Sequence, residues 1–267
     1  DYKLLNPGAE MTDKKTVIEF EKLAGKKNNE YWDSLRPIPL TIGEKIDYQK
    51  RDSIAIVLES KSYLDSVDHI RNKFKTKHLM GNYTYRNSYR KYRIGISNIL
   101  TSLLFNPVQG FYFHPDIMYN KNWEEKKNTL GVKLTPIYGF SENKLRYSAD
   151  VTWRHRGVYN SRIRFNTGNT LDNYNTLEPI KPFANSFSSL WVKRNHARYF
   201  KNKYASLTGL ITLVPGLNTE ARISAQNRSG LVNHTNYSIR KKDIIYQKNY
   251  PEEWDVNTLF PENNAYT

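Results

Sequence analysis

Residues 145–154 read LRYSADVTWR, in which Leu145, Tyr147, Ala149, Val151 and Trp153 alternate without a break with Arg146, Ser148, Asp150, Thr152 and Arg154. A period of two is the mark of a β-strand, here with one apolar and one strongly polar face. At about 3.3 Å per residue and roughly 40° of tilt, about ten such residues rise about 25 Å, the height of the lipid-facing band of an outer-membrane barrel. The strand has the length to cross a membrane. Leu145, Tyr147, Ala149, Val151 and Trp153 are expected to face lipid, and Arg146, Ser148, Asp150 and Arg154 the lumen.

The pattern recurs. Leu130, Val132 and Leu134 alternate with Thr129, Gly131, Lys133 and Thr135, and Ala205, Leu207, Gly209, Ile211 and Leu213 alternate with Tyr204, Ser206, Thr208, Leu210 and Thr212. Leu217, Thr219, Ala221, Ile223 and Ala225 alternate with Asn218, Glu220, Arg222, Ser224 and Gln226, which adds Glu220 and Arg222 to the expected lumen face. Strands in soluble sandwiches usually run about 5–6 residues, and several here run to about ten or more. The expected fold class is mainly β: an antiparallel transmembrane β-barrel, or an incomplete portion of one, with an N-terminal helical periplasmic segment. A soluble sandwich or barrel with one wet face is the alternative.

Composition narrows the classes. Mean hydropathy is −0.74, and apolar stretches such as GLITLV at 209–214 fall far short of a spanning helix. That excludes a helical membrane protein but not a barrel, in which half of every strand is polar. The 20 Tyr, 11 Phe and 5 Trp suit interfacial girdles and equally suit base stacking. A net charge of +15 attracts anions of any kind, from nucleic acid to lipopolysaccharide phosphates and acidic proteins. Absence of cysteine removes disulfides, thiolate metal sites and a Cys nucleophile. The chain starts at Asp1 with no signal segment, so it is read as processed, cut or incomplete.

Residues 1–77 are polar, charged and partly helical, and 78–267 form the expected barrel portion, with a helical insertion at about 171–198. Thr41, Ile42, Gly43 and Glu44 make a capping box ahead of an amphipathic helix at 42–59, which resumes through Tyr63, Val67 and Ile70. Candidate strands are 79–86, 89–97, 108–120, 128–140, 143–156, 158–168, 199–214, 216–228 and 231–240. Asn143 and the pair Pro215 and Gly216 mark tight hairpins, and Pro136 a bulge or kink. Phe183, Phe187, Leu190 and Trp191 fall at helical spacing, and Lys193, Arg194, His196 and Arg198 follow. The spacing predicts an interfacial helix over 183–198 ending in cations. With a periplasmic N-terminal region and simple strand alternation, this helix lies on the periplasmic side. The connections at 86–88, 120–128, 156–158 and near Pro215 then lie outside.

The run YWDSLRPIPLT at 31–41, the helix with Ser60, Tyr63, Leu64 and Asp65, the strand GNYTYRNSY at 81–89 and the interruption at 179–199 around FANSFSSLWVKRN together carry a resemblance. They resemble the Bacteroidota outer-membrane proteins that join a periplasmic carboxypeptidase-regulatory-like domain to a β-barrel of uncharacterised function. The resemblance covers roughly residues 30–267 and implies no catalytic signature. It departs in lacking the upstream domain and in ending on PENNAYT, read as non-strand, in place of an aromatic-ended closing strand. With an odd strand count, this makes the expected piece the middle of a longer barrel, not closed by this chain alone.

No HExxH, GxSxG, Walker loop or dinucleotide fingerprint is present. The histidines His69, His78, His114, His155, His196 and His234 show no ligand spacing, and Glu124, Glu125, Lys126 and Lys127 read as a solvated hairpin tip. Asp150 and Glu220 are the carboxylates from which a glycosidase pair could be assembled, without any positive sign of one. Tyr83, Tyr85, Arg86, Tyr89, Arg90, Lys91, Tyr92 and Arg93 interleave rings and cations as nucleic-acid binders do, but equally as a girdle does. The expectation is no catalytic residue, no cofactor, no metal and no nucleic acid. The expected partners are outer-membrane lipid and lipopolysaccharide, with other envelope proteins on the periplasmic side. Function is expected to be non-enzymatic, as a component or accessory of an envelope assembly, transport or secretion complex. A porin or energised importer, and a soluble basic β-protein binding carbohydrate or nucleic acid, are the alternatives.

Overall fold

The computed structural model describes residues 29–157, 160–177, 179–214, 217–240, 243–249 and 263–266. The chain divides into two units, Asp1–Glu59 and Ser60–Thr267. In the first, α1 (Asn29–Leu35) precedes α2 (Ile42–Glu59). The capping box forms as the sequence predicts: Thr41 N donates to Glu44 Oε2 at 2.8 Å, and Glu44 N donates to Thr41 Oγ1 at 3.3 Å. The bond from the Thr41 backbone, then that from its hydroxyl, hold the Glu44 carboxyl below its ordinary range. α2 buries none of its residues, and Ile42, Ile46, Ile54, Val57 and Leu58 are all exposed.

The second unit is mainly antiparallel β. Its elements are α3 (Lys61–Arg71), α4 (Lys77–Met80), β1 (Tyr83–Asn87), β2 (Tyr92–Ile96), β3 (Leu103–Asn106), β4 (Gly110–Phe113), β5 (Ile117–Trp123), β6 (Asn128–Gly139), β7 (Lys144–His155), β8 (Ser161–Asn173), α5 (Pro182–Phe187) running on as a π-helical turn (Ser188–Val192), β9 (Tyr199–Val214), β10 (Leu217–Ser229) and β11 (Asn263–Tyr266). Among the described residues they build one open 11-stranded sheet in the order β1-β2-β5-β6-β7-β8-β9-β10-β11, with β4 joining the β3–β4 hairpin to β6. The connections after β1, β5, β7 and β9 are short and share one end of the sheet, the turn end. Those after β2, β6, β8 and β10 share the other, the cap end. Asn143 closes the β6–β7 turn in the left-handed conformation (φ 53°), as do Lys91 (φ 54°) and Lys127 (φ 51°) in theirs. Residues 158–159 and the expected hairpin at 215–216 lie outside the described residues.

Five expectations need correction. The strand expected at 108–120 is two, because Pro115 cannot donate to a ladder and the chain steps from β4 to β5 across it. Ahead of it, Asn106 Oδ1 accepts from Gln109 N at 2.8 Å, an Asx-type turn that makes β3 and β4 a hairpin. Gly110, at φ +72°, lets that hairpin press on Ser141, whose Oγ would lie 2.0 Å from a Cβ. Pro136 makes no bulge. It pairs in register with Tyr147, and on its other edge β6 passes from β5 at Leu134 to β4 at Tyr138, so no partner needs its missing N–H. Residues 231–240 form no strand, because their backbone serves the cap: His234 N donates to Pro107 O (3.0 Å) and Ile239 N to Leu190 O (2.9 Å). The helix expected over 183–198 stops at Lys193, which turns left-handed (φ 62°), so the cations lie beyond it. Residues 263–266, expected to be non-strand, pair with Ala225–Arg228 of β10.

The free edge of β1 is covered rather than bare. Asn72, at the end of α3, donates from Nδ2 to Arg86 O (2.6 Å) and accepts from Arg86 N at Oδ1 (2.9 Å), replacing one residue of a neighbouring strand. Asp68 accepts from the Ser88 hydroxyl at 2.8 Å at the turn end, while Met80 O accepts from Asn98 Nδ2 at the cap end. The segment from Asp68 to Met80 therefore runs the length of β1 before the chain turns back into it. Simple strand alternation assumes that the chain reaches the sheet at the start of β1; it reaches it at the turn end.

Candidate functional site

The register brings the alternating residues into continuous cross-strand rows. One row from β1 to β10 reads Tyr85, Ile94, Tyr119, Val132, Val151, Phe165, Leu207 and Ile223. The next reads Ile96, Ile117, Leu134, Ala149, Thr167, Ala205 and Ala225. Leu145, Tyr147, Ala149, Val151 and Trp153 all lie on this face, where Tyr119, Val132 and Val151 are half-buried and other large side chains stand open, with Leu145 at 69% and Ile223 at 73% exposure. Trp123 and Trp153 lie toward the turn end and Tyr138 and Tyr147 toward the cap end, bordering the aliphatic rows as girdle residues would. The Tyr/Arg run at 83–93 is split by the same pleat: the rings of Tyr85, Tyr92 and Tyr119 file along this face at 6.4 and 6.1 Å, and Arg86 and Arg93 pair on the opposite one.

The polar face carries the burial. Arg146, Thr152, Asn202 and Ser206 are buried there. Arg146 donates from Nε to Glu142 Oε2 at 3.2 Å and from Nη1 to Asn169 Oδ1 at 3.1 Å, near the cap end. Asp150 lies farther along β7, where it accepts from Thr152 Oγ1 at 3.0 Å and from Asn166 Nδ2, with Arg164 Nε at 3.6 Å. Arg154 lines the same cavity as Asp150, of about 410 Å³, which also holds Arg93, Lys133, Arg156 and Arg164. Glu220 and Arg222 line a second cavity of about 710 Å³ with Arg162 and Arg164, so Arg164 is shared. The structure thus gathers Asp150 with Arg154 and Glu220 with Arg222, and leaves Arg146 apart from both pairs. Asp150 and Glu220 are three strands apart (about 14 Å), and Glu220 lies four residues from Ser224, the end of Asp150's row (about 13 Å). That is about 19 Å along the sheet, beyond the roughly 5–9.5 Å of a glycosidase pair.

At the cap end lies the apolar core: Leu104, Phe105, Val108, Ala197, Phe200, Leu231 and Tyr246 are buried, and none comes from β5 to β8 or β10. α5 and its π turn are inverted like the sheet. Phe183, Phe187 and Trp191 are exposed, with Phe187 and Trp191 stacked at 6.0 Å, whereas Asn185, Ser186 and Ser189 are buried. Ser186 Oγ accepts from Phe105 N at 2.9 Å, and Asn185 Oδ1 accepts from His196 N at 2.9 Å. Lys193, expected to cap a helix dipole, instead donates to Asn236 O with its Nζ 4.5 Å from the centre of the Tyr246 ring. Burial depresses the Lys193 amine and pushes the Tyr246 phenol up to about 12.

Among the described residues no cluster of three or more His, Asp or Glu could hold a metal ion, and no helix is long and apolar enough to cross a membrane. Arg93, Arg156 and Arg164 escape a reading by strand alternation, since only the register of β2, β5, β6, β7 and β8 brings them to one cavity. A profile described as "Family of unknown function (DUF5686) C-terminal domain" matches residues 76–267. No curated protein and no solved structure matches the chain.

Proposed function

The chain belongs to the DUF5686 family of unknown function, and we propose that it is a non-enzymatic portion of an outer-membrane β-barrel, a component or accessory of an envelope complex for protein assembly, transport or secretion. One observation carries the reading: polarity is inside out. A sheet in water turns its apolar face to a core, whereas here Phe165, Leu207 and Ile223 stand exposed in one unbroken row, Leu145 is exposed on the same face, and Arg146, Thr152 and Ser206 are covered. Lipid is the solvent in which that arrangement costs nothing. From Ala205 to Val214, β9 rises about 25 Å at roughly 40° of tilt, enough for the hydrocarbon band.

Because the chain reaches this sheet at the turn end, a periplasmic N-terminal segment puts the short turns in the periplasm and the cap outside. Apart from the four-residue β6–β7 turn, that fits the rule of short periplasmic turns and long outer loops, and it reverses the orientation obtained by counting strands. The exposed apolar residues of α2 then supply the periplasmic surface for an envelope partner.

The protein should fractionate with outer membranes, resist carbonate extraction and require detergent. A monomer that stays in solution without detergent would defeat the proposal. Steady single-channel conductance would favour a porin over an accessory. At the cap end, with Trp191 as sole tryptophan, fluorescence in vesicles of brominated lipid should fall well below that in unbrominated ones; an unquenched Trp191 would mean that the α5 stripe meets protein instead.

A further inference from the structure

We propose that the cavity on the polar face near the turn end is a binding site for a phosphate-bearing anion of at least two negative charges. The site stands on charge and geometry alone and does not depend on what covers the opposite face. Its floor is Gly131, whose neighbours in register are Asn120 and Thr152. A Cβ at Gly131 would lie 3.3 Å from Asn120 Oδ1, so glycine keeps the floor open. Around it stand Arg93, Lys133, Arg154, Arg156 and Arg164, and Asp150 is the only carboxylate of the lining.

The bookkeeping of partners is what points to a ligand. Lys133 pairs with Asp116 at 2.9 Å, Lys91 with Glu124, and Arg164 with Asp150 at 3.6 Å. Asp150 is also occupied by Thr152 and Asn166. Arg93, Arg154 and Arg156 have no carboxylate among the described residues, yet all three turn to one cavity of about 410 Å³. Like charges gathered on a concave surface repel one another, and the fold tolerates this most readily when an anion enters between them. Guanidinium forks match tetrahedral oxyanions two bonds at a time, which is why phosphate suits this lining better than a lone carboxylate. The volume admits a diphosphate or a phosphorylated headgroup. The source is either a free phosphate compound or a lipid, and the two are separable.

The full chain in detergent micelles at low ionic strength is titrated by calorimetry with inorganic pyrophosphate and, separately, with monomeric short-chain phosphatidic acid. Binding of either with about one molecule per chain is the expected result; binding of phosphatidic acid alone assigns a lipid source, and of pyrophosphate a soluble one. Arg154→Gln and Arg156→Gln should each weaken binding about tenfold, the equivalent of about 1.4 kcal/mol. Lys126→Gln, a charge removed from the β5–β6 turn and outside the cavity, should leave it unchanged. All three variants are checked for the wild-type circular dichroism spectrum, and Arg154→Lys, which keeps charge but loses the fork, should sit between wild type and Arg154→Gln. No binding of either probe, or an equal loss in Lys126→Gln, overturns the site.

Discussion

Ala149→Arg is expected to cost about 2–4 kcal/mol of folding stability in lipid vesicles, and Ser148→Arg well under half of that. The two residues are neighbours in β7 and point to opposite faces. Ala149 stands in the row between Leu134 and Thr167, in the middle of the apolar band, where a cation meets hydrocarbon. Ser148 stands across from Gly168, with its hydroxyl 3.1 Å from that of Tyr204, and an arginine there gives up one modest hydrogen bond and reaches into the polar space. The penalty for a register slip explains why the faces stay fixed. A shift by one residue would carry Arg146, Asp150 and Arg154 into the apolar band together, several kcal/mol against a total of about 5–15 kcal/mol. Urea unfolding from vesicles measures both variants, and equal losses, or a larger loss at Ser148, would mean that the faces or the solvent have been misassigned.

What was legible in the sequence follows how far apart the cooperating residues lie. β7, β9 and β10 were readable because a two-residue period is written within a single strand and survives any uncertainty about neighbours. β3 and β4 were not, since four residues hold too few alternations, although Asn106, Pro107 and Gly110 already spelled a turn between them. The segment at 231–240 alternates as a strand does, but its donors go to Pro107 O and Leu190 O, acceptors that lie far away in sequence. The helical stripe of Phe183, Phe187 and Trp191 is written in the sequence, but the side it faces is set by tertiary contacts, which put Asn185, Ser186 and Ser189 on the covered side. The cationic cavity depends on the register of five strands, so alternation assigns Arg154 a face but does not bring its companions Arg93 and Arg164 to it.

Glu142→Ala is expected to cost about 3–5 kcal/mol, more than any single surface charge on this sheet, because it would strand a buried guanidinium. The pair spans the β6–β7 turn: the Arg146 and Glu142 side chains are 2% and 0% exposed. Two bonds from Arg146 to one carboxylate, and a third to Asn169 at 3.1 Å, compensate charges that water can no longer reach. Lys144, 59% exposed and 3.7 Å from Glu142, cannot substitute for Arg146, since an exposed pair contributes about 0–1 kcal/mol. The cost is one of desolvation, so it should appear only when a single partner is removed. Replacing both together, Glu142→Leu with Arg146→Met, removes both charges and fills the space, and should come out within about 1 kcal/mol of wild type. A double-mutant cycle by urea unfolding in vesicles distinguishes this from a role in the turn itself. If the double variant were as unstable as Glu142→Ala, the turn would depend on Glu142 for its shape, and the buried pair would not be the cause of the loss.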